Sequence, residues 1–238
     1  MKTIFSLMNI AIIPARGGSK RIKKKNIKIF FNKPILYYTF DIIKKSKLFS
    51  KIILSTDDKE IAKVAKKIGF EIILKRSKKN SGPKSTTIDA VKECLVKLNY
   101  NKNHNLCCIY PCSIFITKND MIKGLRILKK NKNYFVYPVQ EFPHPIDRAF
   151  ILLNNNKIKY LKKGNSNKNT QSFKKKYFDS GQFYWGKINK WKKGKNLHSE
   201  ALGFKVKKYK FVDIDDKDDL EFAKIVFSGK KNQKYKSY

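Results

Sequence analysis

The chain has 238 residues, with 55 Lys and Arg against 18 Asp and Glu, so its formal net charge is +37. Hydrophobic residues make up 41% and aromatic residues 13% of the sequence, which is enough buriable surface to exclude a disordered polycation. The length predicts a single folded domain over residues 1–238.

Up to about residue 140, short β-type runs alternate with segments of helical period. The predicted strands are Asn9–Pro14, Lys51–Ser55, Glu71–Leu74, Leu106–Tyr110 and Tyr134–Val139. The predicted helices are Pro34–Lys47, Asp58–Ile68, Ser85–Leu98 and Asn119–Lys130, with Ser85 as an N-cap. This alternation predicts the α/β fold class, with a Rossmann-like, mostly parallel sheet and helices on both faces.

The segment from about 141 to 178 breaks this alternation. Phe142–Pro145 interrupts regular structure, and Asn154–Asn156 is a hairpin turn signal. We therefore predict an arm inserted before the last core elements. The later predictions are strands at Gly181–Gly186 and Phe211–Ile214, a helix at Asp216–Phe227 and a basic, frayed tail over 228–238.

The positive charge raises the possibility of nucleic-acid binding, which remains the alternative from another functional class. Against it, the basic residues are mostly lysines interspersed with Ile and Asn, as in Ile22–Ile29. This pattern indicates a compositional drift toward Lys, Ile and Asn along the whole chain. It differs from an arginine-rich recognition patch. We predict no dedicated nucleic-acid partner.

The cysteines favour a reducing compartment. Cys94, Cys107, Cys108 and Cys112 form no CxxC pair, and no histidine lies at zinc-finger spacing. Buried free thiols predict a cytoplasmic location. The apolar stretch Ile4–Ile13 resembles a weak signal peptide, but no run reaches the roughly 18 apolar residues that cross a bilayer. We predict no membrane association.

The strongest local motif is the run from Ile10 to Arg21, in which a buried strand opens into a loop rich in glycine and basic residues. Ligands of open α/β sheets bind beyond the carboxyl ends of the strands. Gly17 and Gly18 allow backbone amides to approach phosphate oxygens, while Arg16 and Lys20 offset their charge. The motif predicts an anion cradle, although a basic turn in a lysine-rich chain remains an alternative. It matches neither a P-loop nor a dinucleotide fingerprint.

A second motif is Asp213-Ile214-Asp215. Strand periodicity sends both carboxylates to one face and Ile214 to the core. Adjacent carboxylates beside a triphosphate suit Mg²⁺, which typically accepts one or two carboxylates plus phosphate oxygens. The alternative is an acidic helix start, because Asp216, Asp218 and Asp219 follow.

The third motif, Tyr177–Gly186, combines aromatic side chains with Asp179 and Gln182. Such groups hold sugar rings by stacking and hydrogen bonds. Alternatively, Phe183 and Trp185 are core residues on one face of a strand.

Taken together, the residues resemble the acylneuraminate cytidylyltransferase family from residue 9 to residue 227. The matching segments are Ile12–Arg21, Lys25–Ile27, Lys33-Pro34, Ile53–Ala62, Arg76 and Val212–Asp215. Cys107–Tyr110, Phe142–Ala149 and Asp179–Gly186 look like the pseudaminic acid branch of that family. The sequence departs from the family pattern at Ser77–Asn80, where a Pro-Ala-Glu-Leu type of segment is usual, and at Asn169–Ser172, where an Arg is often expected.

The resemblance implies an enzyme that transfers CMP from CTP to a nine-carbon 2-keto sugar acid and releases pyrophosphate, with Mg²⁺ as cofactor. Pseudaminic acid is the first choice of substrate, and sialic or legionaminic acid are the alternatives. The resemblance also implies a homodimer, with the arm over 141–178 reaching the partner's site.

Site roles follow from the same motif match. The implied catalytic residues are Arg16, Lys20, Asp213 and Asp215, and the last two are also the implied metal ligands. The implied nucleotide-binding residues are Arg16, Gly17, Gly18, Ser19, Lys20 and Lys25 for the triphosphate, and Asn26 and Arg76 for the cytidine. The implied sugar-binding residues are Asp179, Gln182 and Phe183.

Overall fold

The structure is a computed structural model that describes residues 8–100, 103–162, 164–165, 167–207 and 212–235, with side chains up to residue 229. Its strands are β1 (Asn9–Pro14), β2 (Ile29–Phe30), β3 (Lys33–Pro34), β4 (Lys51–Thr56), β5 (Ile72–Lys75), β6 (Asn105–Ile109), β7 (Phe135–Glu141), β8 (Phe150–Leu152), β9 (Ile158–Tyr160), β10 (Tyr177–Asp179), β11 (Phe183–Lys187) and β12 (Ala201–Lys205). Its α-helices are α1 (Ile35–Ser46), α2 (Lys59–Ile68), α3 (Thr87–Lys97), α4 (Lys118–Lys130), α5 (Ile188–Lys193) and α6 (Lys217–Tyr235).

A mixed sheet of eight strands forms the centre of the fold. Its order is β10-β7-β11-β6-β1-β4-β5, and β12 also pairs with β7. The strands β6, β1, β4 and β5 run parallel to one another, whereas β11 pairs antiparallel with both β6 and β7. The predicted mostly parallel sheet is confirmed, with β10 and β11 as the reversed strands.

The alternation of side chains along β1 divides the core into two layers. Ile10 and Ile12 pack on one face, together with α3 and α5. Ala11 and Ile13 pack on the other face, together with α1, α2, α4 and α6. All four β1 residues are completely buried, as expected of a central parallel strand covered on both sides. Helices on both faces are therefore confirmed.

The loops that follow the parallel strands meet at one edge of the sheet, because parallel strands end on the same side. Residues 15–24 follow β1, Asp57 and Asp58 follow β4, Arg76 follows β5 and residues 110–117 follow β6. This edge carries the site described below.

Most predicted bounds agree with the structure to within about two residues, and the differences have local causes. The N-cap of α3 is Thr86, whose side chain accepts from the amide of Asp89, whereas Ser85 donates to the carbonyl of Asn80. The described part of the predicted strand Phe211–Ile214, residues 212–214, forms no strand, and Phe211 lies outside the described residues.

The predicted frayed tail begins too early, because α6 continues to Tyr235; residues 236–238 lie outside the described part. Within the described chain, no helix has both the length and the apolar character needed to cross a membrane.

The predicted arm contains the antiparallel hairpin β8–β9. Asn156 in its turn has φ +60°, a left-handed conformation that Asn tolerates better than most residues. The end of the arm returns to the main sheet, where β10 pairs with β7. The hairpin exposes large apolar side chains, namely Phe150, Ile151, Leu152, Leu153, Ile158 and Leu161.

Candidate active site

A cavity of about 900 Å³ opens at the carboxyl edge of the parallel strands. The residues from the predicted site that line it are Arg16, Gly18, Ser19, Lys20, Lys25, Asn26, Arg76, Gln182, Asp213 and Asp215. Gly17, Asp179 and Phe183 do not line it. The structure thus brings the basic loop and the acidic pair to one cavity.

The loop that contains Gly17 and Gly18 is held in place by Asp57 and Asp58, the residues that follow β4. The amide of Gly17 donates to Asp57 Oδ1 at 2.9 Å. A Cβ atom at position 17 would lie 2.6 Å from Asp58 Oδ2, and this carboxylate also caps α2 through the amides of Glu60 and Ile61. Glycine is therefore required at position 17 by the close approach of the N-terminus of α2.

The hydrogen bonds within this loop limit which amides can reach a phosphate. The amide of Gly17 is engaged by Asp57, and the amide of Ser19 donates to the carbonyl of Gly17 at 2.9 Å. Between them, the amide of Gly18 forms no such hydrogen bond within the described residues, and a Cβ atom there would meet nothing within 4 Å. The loop therefore offers phosphate mainly its side chains and one glycine amide.

Asn26 supports the loop from the interior. Its side chain is buried, and its Nδ2 donates to the carbonyl of Arg16 at 2.8 Å. The side chains of Arg16 and Lys20 are exposed at the cavity, and neither forms an ion pair within the described part of the chain. These two cations are thus free to meet an anionic ligand.

The acidic segment keeps the alternation predicted for it, although it is not in a strand. Val212 and Ile214 are buried, whereas Asp213 and Asp215 face the cavity. Lys25 Nζ donates to the carbonyl of Ile214 at 2.5 Å and contacts Asp215 Oδ1 at 3.0 Å. The alternation therefore holds the carboxylates at the cavity while the apolar neighbours anchor the segment.

Two basic residues of the loop hold the second carboxylate. Arg21 Nη2 lies 2.6 Å from Asp215 Oδ2, and Lys25 contacts the other oxygen. Lys25 and Asp215 are 190 positions apart in the sequence. Burial raises the pKa of Asp215, but Lys25 and Arg21 outweigh this effect and lower it below the ordinary value.

Asp213 has the opposite electrostatic environment. Burial, and then the neighbouring charge of Asp215, raise its pKa to about 6. A Cβ atom at Gly181 would lie 2.7 Å from Asp213 Oδ2, and Gly181 has φ +62°. Lys25 offsets this rise only in part, and Asp213 forms no ion pair within the described residues. Two adjacent carboxylates in this state are a donor set that fits Mg²⁺.

Arg76 forms part of the inner wall of the cavity. Its guanidinium is buried and donates to the carbonyl of Ser55 at 2.7 Å and to Ser55 Oγ at 3.1 Å. Burial lowers its pKa. The arginine therefore ties the ends of β4 and β5 together at the edge of the cavity.

The three residues predicted to bind a sugar have different positions. Gln182 is buried at the cavity wall, where its Nε2 donates to the carbonyls of Ser180 (3.1 Å) and Val212 (3.3 Å). Asp179 accepts from the amide of Gly181 at 3.0 Å and from the hydroxyl of Tyr184 at 2.7 Å. Asp179 thus shapes the turn that carries Gly181.

Phe183 lies in the core and is completely buried, with its ring 6.2 Å from that of Phe204. The expectation that it contacts the sugar is not supported by this position. The alternative of a core residue on β11 describes it, because the side chains of a central strand alternate between two buried layers.

The segment before α3 is a wall of the cavity that the sequence interpretation missed. Asn80, Ser81, Gly82, Pro83, Ser85, Thr86 and Thr87 all line the cavity. Thr87 Oγ1 and the hydroxyl of Tyr110 are 2.7 Å apart, which links this wall to the end of β6. A Gly-Pro turn between a parallel strand and a capped helix is the signal that points to this edge.

Comparison with known proteins identifies the chain. The sequence profile described as "Cytidylyltransferase" matches residues 10–233. The chain belongs to the cytidylyltransferase family. The enzyme class expected from the resemblance, a nucleotidyltransferase, is therefore confirmed.

Individual relatives of this cytidylyltransferase agree with the family assignment. A pseudaminic acid cytidylyltransferase of Campylobacter jejuni subsp. jejuni serotype O:23/36 (strain 81-176) is 35% identical over 93% of this chain and 97% of the relative. An N-acylneuraminate cytidylyltransferase of Escherichia coli O18:K1:H7 (strain RS218 / NMEC) is 26% identical over 96% of this chain and 54% of the relative. The resemblance to acylneuraminate cytidylyltransferases is confirmed.

The fold also has a solved counterpart. A CMP:2-keto-3-deoxy-manno-octonic acid synthetase, solved in complex with CTP, superposes with a TM-score of 0.68 over 94% of this chain and 99% of its own. Its sequence is 12% identical, so the likeness shows the fold alone. The Rossmann-like architecture of the cytidylyltransferase is confirmed.

Proposed function

We propose that the cytidylyltransferase transfers CMP from CTP to pseudaminic acid and releases pyrophosphate. The observation that carries the proposal is the convergence of the basic loop after β1 and the carboxylates of Asp213 and Asp215 on one cavity. A relative that is 35% identical over nearly its whole length carries the name pseudaminic acid cytidylyltransferase, which supports this sugar acid.

In the proposed reaction, the anomeric hydroxyl oxygen of the sugar acid attacks the α-phosphorus of CTP. A bond forms between this oxygen and the α-phosphorus, the bond from the α-phosphorus to the bridging oxygen breaks, and pyrophosphate leaves. The hydroxyl proton passes to solvent. Arg16 and Lys20 offset the charge of the triphosphate, and catalysis consists mainly of positioning and electrostatic stabilisation.

Most of the other residues predicted to bind the nucleotide or the sugar line the cavity or hold its parts together. Asn26 and Arg76 form the inner wall for the cytidine, Gly18 offers its amide to phosphate, and Gln182 borders the sugar. Lys25 holds Asp215, so its role is to join the loop to the acidic segment.

Asp213 and Asp215 would hold Mg²⁺, and the donor set described above fits that ion. A bound Mg²⁺ supplies Lewis-acid polarisation and charge neutralisation at the phosphates. Asp213 would be the stronger ligand of the ion, because the carboxylate of Asp215 already pairs with Arg21 and Lys25.

Pyrophosphate release with CTP and Mg²⁺ tests the function when it is measured across a panel of pseudaminic, sialic and legionaminic acids. Faster turnover with pseudaminic acid than with the other two acids supports the proposal. A preference for sialic or legionaminic acid would show that this acid is the substrate instead. Nucleic-acid binding, the alternative class, predicts affinity for DNA or RNA that falls steeply with salt, and no stabilisation by CTP with Mg²⁺.

Substitution of Lys20 by alanine is expected to raise the KM for CTP about tenfold, because one cation facing the triphosphate is lost from the cavity. Steady-state kinetics with CTP as the varied substrate measures this. Lys23→Ala is the matched control, since Lys23 lies in the same loop, carries the same charge and does not line the cavity. An equal rise of the KM for CTP in both variants would show that Lys20 has no specific role.

We also propose that the β8–β9 hairpin contacts a second copy of the chain. Its exposed apolar side chains include Leu152 (64%) and Ile158 (53%), which lie in paired positions of the hairpin. Light scattering of the wild-type protein should give the mass of a dimer. The double variant Leu152→Asp and Ile158→Asp should give that of a monomer, because two charges would then enter an apolar contact. A wild-type monomer would contradict the proposal.

A further inference from the structure

The segment over residues 77–85, which leads into one wall of the cavity, has little regular structure of its own. It follows β5 and contains a single short 3₁₀ turn, Lys79–Ser81. Asn80, Ser81 and Gly82 nevertheless line the cavity. Its backbone hydrogen bonds are local, from the amide of Ser81 to the carbonyl of Lys78 and from the amide of Ser85 to the carbonyl of Gly82, so its side-chain contacts attach it to the rest of the fold.

Those contacts converge on one carboxylate, that of Glu93 on α3. Its Oε1 accepts from the amide of Ser77 at 2.8 Å, and its Oε2 accepts from Ser77 Oγ at 2.8 Å and from Asn80 Nδ2 at 2.7 Å. Lys97, one turn along the helix, contacts Oε1 at 2.6 Å and also donates to the carbonyl of Lys75. The start of the segment and Asn80 are therefore attached to α3.

The environment of Glu93 agrees with this geometry. The side chain is 12% exposed. Burial raises its pKa, but the hydrogen bonds from Lys97, Asn80 and Ser77 outweigh burial and bring the pKa to about 2. Four donors on one carboxylate satisfy it as an ion and restrict the residues that donate.

Further hydrogen bonds carry this restraint across the segment. Ser81 Oγ donates to the carbonyl of Ser77 at 2.8 Å, and Ser85 Oγ donates to the carbonyl of Asn80 at 2.7 Å. The fixed residues Ser77 and Asn80 therefore position Ser81 and Ser85, both of which line the cavity.

We propose that Glu93 is a positioning residue that holds the 77–85 wall in place for the nucleotide. The inference rests on the proposed function, because it assumes that CTP occupies this cavity. Glu93 does not line the cavity, so it acts through Ser77 and Asn80.

Substitution Glu93→Gln tests the inference. The amide removes the charge and replaces one acceptor by a donor, so the groups that donate to that oxygen must reorient or lose their contact. The KM for CTP should rise about tenfold while kcat stays within about twofold, since the wall contributes to binding before and during the reaction alike. Hydrogen exchange of the amides in 77–86 should be faster than in wild type, in the absence of any nucleotide.

Asp41→Asn is the matched control. Asp41 pairs with Lys45 at the same i,i+4 spacing on α1, away from the cavity, and its substitution should leave both readouts unchanged. Ser77→Ala is the second variant, because it removes the Oγ contacts with Glu93 and with the amide of Asn80 without altering α3. It should shift KM and exchange in the same direction by a smaller factor.

Wild-type KM together with wild-type exchange in Glu93→Gln would overturn the inference. So would a drop in kcat with KM and exchange unchanged. If the wild-type protein transfers no CMP at all, the proposed function fails, and the exchange measurement still decides whether Glu93 holds the segment.

Discussion

Replacing Asp215 with alanine is expected to lower the rate of CMP transfer on the order of 10³-fold, a loss of several kcal/mol of transition-state stabilisation. The substitution removes one of the two proposed metal ligands, and it also releases Arg21 and Lys25 from the contacts that join the basic loop to the acidic segment. Single-turnover pyrophosphate release at saturating CTP and Mg²⁺ measures the loss.

The same substitution should leave the fold intact. The side chain of Asp215 is 41% exposed and that of Arg21 is 62% exposed, and ion pairs at such positions contribute only about 0–1 kcal/mol to stability. Asp218→Ala is the control, because Asp218 is close in sequence, carries the same charge and does not line the cavity. Wild-type activity of Asp215→Ala in Mg²⁺ would refute the metal assignment.

Replacing Gly181 with alanine is expected to reduce CMP transfer about 100-fold, because displacement of a catalytic group by about 1 Å has effects of this size. The added Cβ would lie 2.7 Å from Asp213 Oδ2 and 3.1 Å from Asp213 Cγ, so the carboxylate must move. The substitution also introduces a non-glycine residue at φ +62°, which costs about 1 kcal/mol. Steady-state kinetics and thermal unfolding separate the two effects.

Gly69→Ala is the matched control for the backbone strain. Gly69 has φ +109°, and its added Cβ would meet only the ring of Phe40, at 3.6 Å, an ordinary contact distance. This variant should lose stability and keep its activity. If Gly69→Ala lost as much activity as Gly181→Ala, strain would explain the result and the displacement of Asp213 would not.

The elements of the parallel half of the sheet could be predicted from the sequence, because their periodicity and caps are local signals. Strand β1 has the predicted bounds, and helix α2 begins after Asp58 and ends before Gly69, as a cap and a left-handed glycine dictate. The position of the cavity could be predicted as well, since parallel strands end at one edge.

The roles of individual side chains could not be predicted so well, because they depend on contacts between distant segments. Sequence periodicity alone does not show that the cavity is lined by Gly181 and Gln182 and by no residue of β11, so it leaves Phe183 ambiguous between core and sugar site. The engagement of the Gly17 amide by Asp57 is visible only when β4 lies beside β1. The Glu93 contacts likewise require α3 to pack beside the residues that follow β5.

The joining of Lys25 to Asp215 across 190 positions has a consequence for biosynthesis. During translation, the glycine loop and most of the sheet leave the ribosome well before the aspartates do. Under the proposed function, a nascent chain therefore forms the basic loop before it carries the two carboxylates that would hold Mg²⁺. Any product of premature termination before position 213 would keep the basic loop and lack both carboxylates.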